Sequence, residues 1–323
     1  MKTIILIGAG RSGSTVVCRS LAAHPKIVFG GETDFLAARL WNELWGNRFW
    51  FHWGLKSESG ATSVVSRRDG ISRINLRGET DLEIDEAVLR EARMRAALAV
   101  RRALETIFEI RTRGREGEPA VWGFKELWNG SSLHRYAWEP YDEIFPGSVW
   151  VHLVRNPWIY VQSVSQWNRR PLREANLGYE LAEWMRIVDY SRERKATGHY
   201  FEIRFEDVLT DPRSTLGPIF AAAGLEWDGR VLEPLQKPIM RSEARKGVVV
   251  TGNLTKDEAR GVVDGIPGFR EICRDLNYPV EPELADFFRT YEPSIQPSGW
   301  VMPSANKAAL DRGAESLPMR NGS

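Results

Sequence analysis

The chain has 323 residues and 36.8 kDa, 42% of them apolar, with 44 Lys and Arg balanced against 43 Asp and Glu. A chain of this length buries a sizeable core, and its near-zero net charge excludes bulk capture by nucleic acid or an anionic membrane, so a basic site must be local. Two cysteines, Cys18 and Cys273, exclude a disulfide framework and lack metal-ligand spacing, which suits a reducing compartment and gives no expectation of a metal.

The N-terminal stretch Lys2-Thr-Ile-Ile-Leu-Ile-Gly-Ala-Gly-Arg-Ser-Gly-Ser-Thr15 organises the rest. Thr3 to Ile7 is a continuous apolar, β-branched run, the composition of a strand buried on both faces of a parallel sheet. Glycines follow at Gly8, Gly10 and Gly13, and a helical pattern begins at Thr15. A strand feeding a glycine-rich turn that opens a helix makes an anion cradle of backbone N–H groups and the positive helix end. A tight turn with no ligand is the plainer account. Gly8-x-Gly10-x-x-Gly13 with Glu32 downstream also fits a dinucleotide fingerprint. A nucleoside-triphosphate loop fits less well, because Ser14 stands where that loop needs lysine. The turn alone does not decide. The apolar run ends at Gly8, too short for a signal peptide, and no later run is long enough to span a bilayer, so a soluble cytoplasmic protein is expected.

Ile27 to Phe29 reads as a second strand ending at Gly30-Gly31-Glu32, where Glu32 is either a ligand-facing acid at a strand's carboxyl end or a helix N-terminal acid. Trp41, Trp45, Trp50 and Trp53 follow in thirteen residues and suit either a core helix with a hydrophobic flap or a substrate wall. Ser57 to Asp81 is polar and glycine-punctuated, which predicts a surface loop or lid. Asp85 to Arg113 predicts one long helix with a solvated arginine face.

Val121 to Glu126 predicts a strand that delivers Lys125, and Val149 to Val154 a buried strand that delivers Arg155-Asn156-Pro157. A helix from Pro157 to about Trp167 brings Ser163 back over its own first turn, so Arg155 and Ser163 can meet on one anion. A helix over Leu177 to Lys195 and a strand over Tyr200 to Arg204, closed by Phe205-Glu206-Asp207, come next. Asp211-Pro212 then caps a helix running to Ala223. Leu235 to Asp264 is rich in charge and glycine, a last helix is predicted over Glu281 to Tyr291, and residues 303–323 read as a disordered tail. With no repeat and no domain boundary, one α/β domain over residues 1–302 is the simplest account, a central parallel sheet flanked by helices.

Taken together, these stretches resemble the sulfotransferases that use 3′-phosphoadenosine 5′-phosphosulfate (PAPS). Gly10-Arg11-Ser12-Gly13-Ser14-Thr15, running on to His24-Pro25 and Gly31-Glu32, resembles their P-loop-like 5′-phosphosulfate turn. Leu153-Val-Arg155-Asn-Pro157 with Ser163 is similar to their 3′-phosphate motif, and Tyr200 to Pro212 to the strand and turn that follow. Arg245-Lys246-Gly247 is similar to their late nucleotide-gripping loop, with a different glycine spacing downstream. The matches occur in family order. A dinucleotide oxidoreductase accounts for the first alone, and a catalytically silent binder of the spent nucleotide would lack the acid–base groups.

The resemblance implies roles residue by residue. Arg11 would meet the phosphosulfate, with Ser12, Gly13, Ser14 and Thr15 as donors, and Arg155, Ser163, Arg245, Lys246 and Gly247 would grip the nucleotide. Glu32, in Gly30-Gly31-Glu32-Thr33, matches the base of the branch that sulfates protein tyrosines, and Lys125, in Gly123-Phe-Lys125-Glu126, matches its sulfate-steadying lysine. Gly31 replaces the first glutamate of that branch's pair. His52, His134 and His152 are the alternative bases by analogy with the phenol and steroid branch, although His152 sits within a strand pattern that reads as core. The implied acceptor is a small molecule, carbohydrate or lipid hydroxyl or amine, with PAPS as co-substrate and no metal.

Overall fold

A computed structural model describes residues 2–33, 35–44, 64–68, 71–76, 80–112, 119–128, 138–168, 173–236 and 256–281. The N-terminal apolar run forms strand β1, Lys2–Ala9, buried from Thr3 onward. Strand periodicity divides its side chains between two cores, with Ile4 and Leu6 in one and Ile5 and Ile7 in the other. β1 is therefore the middle of a sheet covered on both faces. The sheet also contains β2 (Ile27–Glu32), β6 (Val121–Trp128), β7 (Val149–Val154) and β8 (Tyr200–Arg204), in the order β2-β6-β1-β7-β8. All four pairings are parallel.

Helices cover both faces. On one side α1 (Ser14–Ala23) and α8 (Pro212–Ala222) bury Val17, Leu21, Leu216, Ile219 and Phe220 against Ile4 and Leu6. On the other, α2 (Leu36–Leu44), α3 (Glu86–Thr112), α4 (Glu139–Ile144) and α6 (Glu174–Arg192) pack Ala38, Trp41, Val100, Leu104, Tyr141 and Trp184 over Ile5 and Ile7. α3 is the expected arginine-faced helix, and Arg101 and Glu105 pair across one of its turns at 2.9 Å. α5 (Pro157–Asn168) follows β7 directly, and α7 (Phe205–Thr210) follows β8. The stretch Phe205-Glu206-Asp207 thus opens a short helix and does not close the strand. Asp211 caps α8 as expected, accepting the Ser214 N–H at 3.2 Å. The chain then passes through α9 (Glu233–Gln236), α10 (Lys256–Asp264) and α11 (Phe269–Asp275).

A second expectation is corrected. Ser57 to Asp81 is not simply a surface loop, because β3 (Val64–Arg68), β4 (Ile71–Leu76) and β5 (Thr80–Asp85) pair antiparallel in a second sheet. β5 alternates in sequence as Asp81-Leu82-Glu83-Ile84-Asp85, a strand signal that the polar, glycine-punctuated composition around it masks, while Arg67 and Arg68 end β3 with no alternation. The Asp69-Gly70 dipeptide between β3 and β4 was the available hairpin signal. All described residues belong to one compact unit, Met1–Phe288. The tail at 303–323, and all of the expected last helix beyond Glu281, lie outside the described residues. No helix among the described residues is long and apolar enough to cross a membrane.

Candidate active site

The turn after β1 is shaped by close approaches that only glycine permits. A Cβ on Gly8 would stand 2.5 Å from the Leu153 carbonyl oxygen, and one on Gly13 would stand 2.4 Å from the Phe205 ring. Both residues have positive φ, 142° and 93°. Arg11 also adopts the left-handed region, φ 68°, between them. Gly13 is the N-cap of α1, where no side chain caps the helix and no acid lies in the first turn. The Val16 N–H bonds the Gly13 carbonyl at 2.9 Å, which leaves the N–H groups of Ser14 and Thr15 for an outside acceptor. Ser12 is buried, and its Oγ has no hydrogen-bond partner among the described residues. An orphaned hydroxyl beside an uncapped helix start fits an oxyanion, whose oxygens would satisfy both.

Arg155 and Ser163 are brought to this turn, and they meet at Arg11. Arg11 Nε donates to Ser163 Oγ at 3.3 Å, and Arg155 Nη1 donates to the Arg11 carbonyl at 2.9 Å. Two rings frame these guanidinium groups, and sequence reasoning gave neither a role at the site. Arg11 lies 4.6 Å from the centre of the Trp167 ring, and Arg155 lies 5.2 Å from that of Phe205. Trp167, four residues after Ser163 on α5, shares its face, and that spacing was the signal.

Glu32 at the end of β2 is brought beside Lys125, which lies within β6 because that strand runs on past the expected Glu126 to Trp128. A register shift in β2 after Phe29 sets Glu32 opposite Lys125 on β6, and the ammonium lies 3.4 Å from the carboxylate. The Glu32 side chain is 42% exposed and that of Lys125 only 12%, so the acid opens to solvent while the cation lies beneath it. Glu32 ends β2, four residues before α2, which favours the ligand-facing reading over the helix-terminal one. Cys18 of α1 lies in the field of both charges, but burial pushes its thiol up to about 12, so it is neutral and unreactive.

Glu126 was also missed. It is fully buried, with Oε2 accepting the Phe35 N–H at 2.8 Å and Oε1 accepting the Tyr141 hydroxyl at 2.5 Å and that of Thr33. Burial, then the Glu126 charge, holds the Tyr141 phenol well above its ordinary range. Thr33 N–H also donates to the Lys125 carbonyl at 3.3 Å, so the residue after Glu32 is tied to β6 twice. A glutamate directly after a lysine, inside an apolar strand, was the sign of it.

His152 is buried in β7, with Nδ1 2.6 Å from the Tyr200 hydroxyl and 3.2 Å from Glu202. Burial lowers its pKa, and it is the core residue expected. His52, His134, Arg245, Lys246, Gly247 and Trp45 to Trp53 lie outside the described residues, while Trp41 is packed in the core. Among the described residues no group of three or more His, Cys, Asp or Glu side chains is placed to hold a metal ion.

Counting only the parallel strands in chain order, the sheet runs 2-3-1-4-5. Dinucleotide-binding folds run 3-2-1-4-5-6, with the second strand beside the first. A family model described as "Sulfotransferase family" matches residues 3–229. No curated protein matches the chain. Among solved structures it is similar to the sulfotransferase domain from the Synechococcus PCC 7002 olefin synthase, at 17% identity over 98% of this chain and 96% of that one, TM-score 0.42. It is also similar to the sulfotransferase domain from the curacin biosynthetic pathway, at 14% identity over 86% and 99%, TM-score 0.45. A third is sulfotransferase STF9 from Mycobacterium avium, at 13% identity over 87% and 78%, TM-score 0.43.

Proposed function

The chain belongs to the sulfotransferase family, and on that premise we propose that it moves a sulfuryl group from PAPS to a hydroxyl or amine of a small-molecule, carbohydrate or lipid acceptor. The observation that carries this reading is the Glu32–Lys125 pair, 3.4 Å apart at the carboxyl edge of the same sheet whose central strand opens into the uncapped α1 turn. A protein that only stored the spent nucleotide would have no use for a half-exposed acid held over a buried amine.

When bound, PAPS supplies the SO₃ group and is left as 3′-phosphoadenosine 5′-phosphate (PAP). Arg11, the Ser12 hydroxyl and the N–H groups of Gly13, Ser14 and Thr15 would hold its 5′ end, with Arg155 and Ser163 at the 3′-phosphate. Arg245, Lys246 and Gly247 join them on the sequence resemblance. Glu32 takes the acceptor's proton at a carboxylate oxygen, for which its exposure leaves room. Lys125, fixed beforehand by Glu32 and by its own burial, donates toward the negative charge that grows at the reacting centre. Arg11 would serve the same charge, its guanidinium oriented by Ser163 and Trp167. The strand order counts against the dinucleotide oxidoreductase reading, because β6 lies between β1 and β2.

Isothermal titration with PAP, NADH and ATP tests the reading. PAP is expected to bind far more tightly than the other two, and preferential binding of NADH or ATP overturns it.

A further inference from the structure

The corner that carries Arg155 is braced by a segment from far along the chain, outside the stretch that bears the family likeness. Between β7 and α5 the backbone of two residues is held from opposite sides. The Arg155 carbonyl accepts Trp184 Nε1–H at 3.0 Å, and the Asn156 N–H donates to Glu206 Oε1 at 3.2 Å. Glu206 has a second partner, because its Oε2 accepts the Tyr278 hydroxyl at 2.8 Å. Tyr278 is itself fixed by the way α11 ends. Asn277 takes the left-handed conformation, φ 54°, its N–H bonds the Arg274 carbonyl at 3.0 Å, and the Tyr278 N–H bonds that of Cys273 at 2.7 Å. This is a Schellman closure with asparagine in glycine's place. Arg204, the last residue of β8, donates to the Leu276 and Asn277 carbonyls at 3.3 and 3.0 Å and lies 5.5 Å from the centre of the Tyr278 ring. One residue further on, Pro279 accepts Trp158 Nε1–H from the first turn of α5 at 3.1 Å.

We propose that Tyr278, acting through Glu206, is a positioning residue for the donor nucleotide, holding the Asn156 amide and with it Arg155 in place for the 3′-phosphate. The proposal rests on the reading of Arg155 as the 3′-phosphate ligand. The bond to the Tyr278 hydroxyl fixes the orientation in which the other Glu206 oxygen accepts from Asn156. Without the phenol, the carboxylate loses one of its two fixed partners, and the Arg204 guanidinium cannot replace it because Asp207 already holds that group, so the Asn156 amide is held less firmly. The 5′ end is held mainly by the α1 turn, which Arg155 touches through the Arg11 carbonyl at 2.9 Å, so loosening the corner is expected to weaken the hold on the 3′-phosphate more than that on the 5′ end.

The test is isothermal titration of PAP and AMP against the native protein and Tyr278→Phe, with melting curves on both. The variant keeps the ring and removes only the hydroxyl. It is expected to bind PAP about tenfold more weakly and AMP within about twofold of native. Glu206→Gln, whose carboxamide still accepts from Asn156 and can donate to the Tyr278 oxygen, is expected to lose less than about threefold. A native preference for PAP that persists unchanged in Tyr278→Phe overturns the inference alone. Equal binding of PAP and AMP by the native protein overturns the functional reading and the inference with it. If Tyr278→Phe melts early, Glu206→Ala takes its place, and an unaltered PAP-to-AMP ratio there overturns the proposal.

Discussion

Replacing Glu32 by glutamine separates chemistry from structure, because the two effects differ in size. The carboxylate lies 3.4 Å from the Lys125 ammonium. At that separation two unit charges attract by about 5 kcal/mol at an effective dielectric of roughly 20, and by about 1 kcal/mol in water. Glu32 is 42% exposed, so the solvent-screened end of that range applies, and loss of the ion pair costs about 1 kcal/mol of stability or less. Loss of a positioned base costs about a hundredfold in turnover, or roughly 2.7 kcal/mol of transition-state stabilisation. Glu32→Gln is thus expected to melt within a few degrees of native, to bind PAP within a few-fold of native, and to transfer sulfate about a hundredfold more slowly. The assay is transfer from ³⁵S-labelled PAPS to a panel of phenols, sugars and lipid alcohols, run beside melting and PAP titration on the same samples. Turnover within a few-fold of native on an acceptor the native enzyme sulfates would refute the assignment and direct the search for the base to His52 and His134. A drop in stability with intact turnover would make Glu32 a structural ion-pair partner.

Arg11→Ala is expected to reduce turnover more than PAP affinity, since its charge serves the transition state; normal turnover with only a raised KM for PAPS would show a docking role. Gly8→Ala is expected to cost about 2–4 kcal/mol by urea unfolding, because the obstructing Leu153 oxygen is backbone and the φ is unsuited to alanine; a loss below about 1 kcal/mol would contradict the close approach. The buried His152, which faces Tyr200 and Glu202 with Arg192 and Lys195 nearby, has a folded-state pKa below its unfolded value near 6.5. Acid therefore protonates the unfolded chain first, and this stability is complete above about pH 6.5 and lost below it, by up to about 1.4 kcal/mol per pH unit. His152→Gln is expected to flatten the stability curve between about pH 6.5 and 5, and an unchanged slope would contradict the lowered pKa. Glu202, held low by its bonds to His152 and Arg192 against the opposing effect of burial, adds a further loss only below about pH 4.3.

Local pattern announced the parts of this fold but not their order. The β1 run, the glycine turn and the Arg155-Asn156-Pro157 corner were legible because a buried strand, a left-handed turn and a proline-started helix each demand particular residue types within a few positions. The insertion of β6 between β1 and β2 depends on pairing residues about a hundred positions apart, which no window of sequence contains. The second sheet was hidden for a different reason. Its strands are short and sit in a polar, glycine-punctuated stretch that reads as a loop, although Leu82 and Ile84 alternate with acids and Asp69-Gly70 suits a hairpin.

The least legible part of the site is what holds the legible residues still, and β6 shows why. Strand periodicity sends Phe124 and Glu126 to the face that carries Tyr141 and Phe35, while Lys125 faces the side of Cys18 and α1. Consecutive residues thus do opposite jobs, Lys125 pairing with Glu32 and Glu126 anchoring Thr33 and Phe35 just beyond it. A sequence motif records the residue that meets the substrate, because its chemistry is constrained. It does not record the partner on the reverse face, whose three donors come from α4 and from the chain between β2 and α2. The same holds at the other end of the site, where Arg155 is recognisable in sequence and the Glu206–Tyr278 brace behind it is assembled from residues 72 positions apart.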